Sequence, residues 1–76
     1  VEVLDEIKVD SEQLKEIQEQ LKKLPEMDVC LSDWAIACYQ IMYVPVNDKT
    51  TLSYWIRIEE HDDGFTIELL KEELYS

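Results

Sequence analysis

His61 is the single histidine of a 76-residue chain, and four carboxylates crowd it: Glu59, Glu60, Asp62 and Asp63. That grouping has the ingredients for general acid–base work or for holding a hard divalent cation. Acid–base catalysis would also need a nucleophile or a substrate pocket, and the sequence identifies neither. A calcium loop of the EF-hand kind needs twelve residues with ligands at fixed positions, a pattern that does not occur. The grouping therefore reads as a solvated acidic turn, with no catalytic residue, no metal and no cofactor.

The two cysteines lead to a similar reading. Cys30 and Cys38 stand near Asp28 and Asp33 and among apolar residues, which disfavours a reactive thiolate. They are too few for the disulfide framework of a small secreted scaffold and lack the CxxC spacing of a zinc site. Both read as small packing residues of a reduced, cytoplasmic protein, with a disulfide between them as the lesser reading. One glycine in the whole chain rules out a glycine-rich phosphate loop.

What the sequence offers instead of a motif is charge. Eighteen Asp and Glu face seven Lys and Arg, for a net charge of -11. A surface so acidic repels nucleic acid and anionic membrane and attracts basic partners. The chain is nevertheless 46% hydrophobic, with two Trp and four Tyr, so a packed core is expected. Residues 59–76 carry seven carboxylates against Lys71 alone, which places -6 of the excess in the last quarter.

The elements that must position these residues follow from periodicity. Val1, Val3, Ile7 and Val9 alternate on one side of a first strand, with Asp5 as a breach. Asp10 or Ser11 offers a side-chain oxygen to cap a helix, with Gln13 three residues after Asp10 in a capping-box arrangement; its stripe is Leu14, Ile17, Leu21 and Leu24, with Pro25 stopping it at Leu24. Residues 31–38 fit helix or strand. Tyr39 to Val46 favours strand because it is rich in β-branched and aromatic residues.

Leu52, Tyr54, Ile56 and Ile58 alternate cleanly, as do Phe65, Ile67 and Leu69 after a turn at His61–Gly64. A four-residue loop there pairs Ile58 with Ile67 and Ile56 with Leu69. A two-residue loop at Asn47–Asp48 pairs Tyr43 with Leu52, Ile41 with Tyr54 and Tyr39 with Ile56.

The expected architecture is a single α+β domain over 1–76, one amphipathic helix packed on a small antiparallel β-meander with an added N-terminal strand. A winged-helix alternative would place a second helix at Ser32–Tyr43. That segment has no Lys or Arg to contact phosphates. No apolar run is long enough to span a membrane.

The sheet face opposite the helix then shows Trp55, Met42 and Arg57, residue types enriched at binding hot spots. With Glu59, Glu60, Asp62, Asp63, Glu72 and Glu73 they make the candidate partner-binding surface. The expected function is a non-enzymatic acidic interaction module, of inhibitor, immunity or regulatory type, docking on a basic protein. A DNA mimic that blocks a nucleic-acid-binding protein is one form of it. The alternative is a structural or oligomerisation domain, of a larger protein or a homo-oligomer.

Overall fold

Asp10 opens the helix as its residue type and spacing predict. In the computed structural model, which describes residues 1–28 and 32–76, the Asp10 side chain accepts from the Gln13 N–H at 2.8 Å. The Gln13 side chain accepts from the Asp10 N–H at 3.0 Å, completing a reciprocal capping box. The helix α1 spans Ser11–Leu21, preceded by strand β1 (Glu2–Val9) and followed by β2 (Ala35–Pro45), β3 (Thr50–His61) and β4 (Gly64–Tyr75). The four strands form one antiparallel sheet in the order β1-β4-β3-β2.

The stripe on α1 covers one face of that sheet. Leu14 and Leu21 are buried against Val9, Ala37, Tyr39, Ile58 and Ile67, with Ile17, Leu24, Ile56 and Phe65 packed around them. Gln18 reaches across the layer, its Nε2 donating to the Tyr39 hydroxyl at 3.4 Å. The helix ends three residues before the expected Leu24. Tight bonds from Lys23 to Gln20 and from Leu24 to Leu21 turn the chain out early.

Pro25 and Met27 then run along the outer edge of β2. The Gln40 N–H donates to the Pro25 carbonyl at 2.8 Å, and the Met27 N–H to the Cys38 carbonyl at 2.9 Å.

The ambiguous middle of the chain is extended from Ala35, which removes the winged-helix alternative. The reading of Cys30 as a packing residue falls outside the described residues, as does Leu31 of the ambiguous stretch, while residues 32–38 form a turn and then strand rather than a helix. Cys38 is fully buried and is disulfide-bonded, which corrects its reading as a reduced packing residue.

Register holds where the turn is short and departs where a strand bulges. Glu60↔Phe65, Ile58↔Ile67 and Ile56↔Leu69 pair as loop arithmetic predicts, although His61 and Gly64 also pair and leave only Asp62 and Asp63 in the turn. Between β2 and β3, Tyr39 faces Ile56 as expected. Tyr43, however, faces Ser53, and Met42 faces Tyr54.

Two features account for the difference. Asn47 Oδ1 accepts from the Lys49 and Thr50 N–H groups, so the turn is longer than two residues. A bulge between Gln40 and Met42 absorbs the extra residue. A further irregularity between Val3 and Asp5 puts Val3 opposite Leu70, on the sheet face away from Ile7 and Val9, so these three residues of β1 do not share one side.

Candidate interaction surface

At the turn between β3 and β4, Gly64 has φ +139°, a conformation that other residues rarely adopt. A Cβ there would meet the Val9 carbonyl oxygen at 3.1 Å. The one glycine of the chain thus lets the turn lie against the end of β1. Glu60, Asp62 and Asp63 are exposed at this end. Asp63 lies 3.6 Å from Lys8 Nζ in a solvent-exposed pair, which contributes little to stability.

Behind the turn, on the sheet face away from α1, the side chains are internal. Trp55 is 1% exposed and packs with Cys38, Leu70 and Met27, so the expectation that Trp55 presents a docking face is corrected. Its cover is the chain after the helix, which carries Met27 onto that face. Trp34, by contrast, is exposed.

Arg57 lies over the Trp55 ring, with Cζ 5.8 Å from its centroid. It grips Glu68 with two bonds, Nε to Oε1 at 3.0 Å and Nη2 to Oε2 at 3.3 Å, and lies 3.7 Å from Glu59. A fork of this kind is among the stronger ion pairs a protein makes.

Glu59 completes the network. Its carboxylate accepts from Ser32 Oγ and lies 3.6 Å from His61 Nε2. Burial pushes the Glu59 carboxyl up, but hydrogen bonding with Ser32 and Glu68 and the charges of Arg57 and His61 outweigh it and hold it below its ordinary value. Arg57 and Glu59 are therefore largely withdrawn from solvent, with side chains 11% and 13% exposed. Their arrangement ties β3, β4 and the residues before β2 together.

Met42, Glu72 and Glu73 sit at the other end of the molecule. Ten residues of strand separate Asp63 from Glu73, or about 33 Å, on a molecule 42 Å long. Met42 and Glu73 are exposed and Glu72 is half-buried. The residues expected to form one surface thus divide into an exposed acidic turn, an internal ion-pair network and a distant group.

Sequence reading also missed two residues beside the turn. Trp34 is 58% exposed and Ile36 49%. Ile36 is the extra residue of a bulge between Ala35 and Ala37, which aims it outward. The Ser32–Asp33 pair ahead of Trp34 was the available signal of a turn there.

Among the described residues no three His, Cys, Asp or Glu side chains group closely enough to hold a metal ion, and no helix is long and apolar enough to cross a membrane. Compared with protein-family models, curated proteins and solved structures, the chain matches none.

Proposed function

We propose that the chain is a small acidic protein-interaction module, of inhibitor, immunity or regulatory type and without catalytic activity of its own. It docks the β3–β4 turn on a basic surface of a partner protein. The observation that carries this reading is the pairing of exposed carboxylates with exposed apolar side chains at one end of the sheet, Glu60 and Asp62 beside Trp34 and Ile36. An apolar centre with a charged rim is the usual composition of a protein interface.

The DNA-mimic form draws less support. Mimicry of phosphates needs a continuous stripe of carboxylates, and the stripe along the back of the sheet is interrupted because Arg57 neutralises Glu68 and approaches Glu59. The test is affinity capture at low and high salt. A basic protein retained at low salt and released at high salt supports the reading, and capture insensitive to salt counts against it.

The structural alternative draws on a separate observation. β1 is an edge strand, and Val3, Leu4 and Ile7 on it are 43–48% exposed. An uncovered strand edge is a template for pairing with a second chain. Sedimentation equilibrium distinguishes the two readings. A dimer that Ile7→Lys dissociates favours oligomerisation, and a monomer at high concentration favours the adaptor.

A further inference from the structure

Beside the β3–β4 turn is an open cleft of about 500 Å³, lined by Asp33, Trp34, Ala35, Ile36, Glu60, His61 and Asp62. We infer that this cleft seats an arginine side chain of the basic partner. The inference rests on the docking function proposed above and names the chemistry of that partner's anchor.

Three properties of the cleft select a flat organic cation. Its floor is aromatic: the Trp34 ring is exposed and tilted at 39° to the His61 ring, with centroids 5.6 Å apart. The electron-rich face of an indole is the strongest of the aromatic surfaces for a cation, and guanidinium is the side-chain cation found there most often.

Apart from His61, the charged side chains around the cleft are all acidic. Asp33, Glu60 and Asp62 contribute three carboxylates, no Lys or Arg lines the cleft, and among the described residues none of the three is ion-paired. Three separate carboxylates in one cleft suit the planar five-donor fork of a guanidinium better than a compact ammonium.

The platform is built before any partner arrives. The Trp34 N–H donates to Ser32 Oγ at 3.2 Å, and its carbonyl accepts from the Glu60 N–H at 2.9 Å. Ser32 in turn donates to Glu59, so the ion-pair network fixes the backbone that carries the indole. That backbone needs no ordering on binding, which favours affinity.

Titration of the ¹⁵N-labelled protein at low salt with a peptide of four arginines spaced by glycine tests this. The Trp34 indole N–H resonance should move and that of buried Trp55 stay still. The lysine analogue should bind several-fold more weakly, and the citrulline analogue not at all. Trp34→Leu should weaken binding roughly three-fold or more. The unchanged Trp55 resonance reports that this variant is folded.

Glu60→Gln should weaken binding more than Asp63→Asn, which removes an equal charge outside the cleft. Binding that moves only the Asp62–Asp63 turn and the distant acids, with Trp34 still, overturns the cleft and leaves acidic docking standing. Equal losses in the two charge variants, or an unaffected Trp34→Leu, overturn the cleft as well. Absence of binding at low salt overturns both proposals.

Discussion

Arg57 is the residue on which the buried electrostatics turn. With Glu68 and Glu59 largely withdrawn from water, replacing Arg57 by Met leaves two carboxylates without their cation, and stability should fall by about 3–5 kcal/mol in denaturant unfolding. The effect of Glu59 has a definite sign with pH. Its folded carboxyl is held below the ordinary value of 4.5, so its contribution is complete above that value and is lost as pH falls through the lowered folded one. Stability profiles of the parent and Glu59→Gln should therefore lie apart at neutral pH and converge in acid. Gly64→Ala adds a Cβ at a positive φ, 3.1 Å from the Val9 carbonyl, and should lower stability by about 1–3 kcal/mol. None of these roles shows in composition. Arg57 and Glu68 share a face only once the pairing of β3 with β4 is known, and a lone glycine announces a turn but not what lies against it.

Among the elements, α1 and the β3–β4 hairpin were legible because their signals are local. A capping box lies within four residues, and the alternation of two strands joined by a short turn leaves one register that keeps both apolar faces together. Removing the cap by Asp10→Ala should destabilise the protein by about 1 kcal/mol, read from the thermal midpoint. The β2–β3 pairing was misread because a bulge leaves no mark in the hydrophobic pattern. Gln40 sustains it: its Nε2 donates to the Met42 and Tyr54 carbonyls at 2.9 and 3.0 Å, and its Oε1 accepts from Ser53 Oγ at 3.2 Å. Those are carbonyls flanking the break in the ladder. The burial of Trp55 was equally hidden, since alternation tells which residues share a face and not whether another stretch, here the one bearing Met27, packs over it.

For the whole molecule, the field of eleven excess negative charges should govern access to the two tryptophans. Trp34 should be quenched by neutral acrylamide and by caesium, and spared by iodide until salt screens the repulsion. Trp55 should resist all three. The same sheet has an uneven internal architecture. Bulges interrupt both outer pairings, whereas β3 and β4 pair without a break over twelve residues joined by a two-residue turn. This has a kinetic consequence. The hairpin closes the shortest loop in the sheet and can form early, while β1 must bring Glu2 to Lys71 across almost the entire chain and docks at the highest entropic cost. Opening should run in reverse, with the amides of β1 exchanging with deuterium first and those of the β3–β4 pair last.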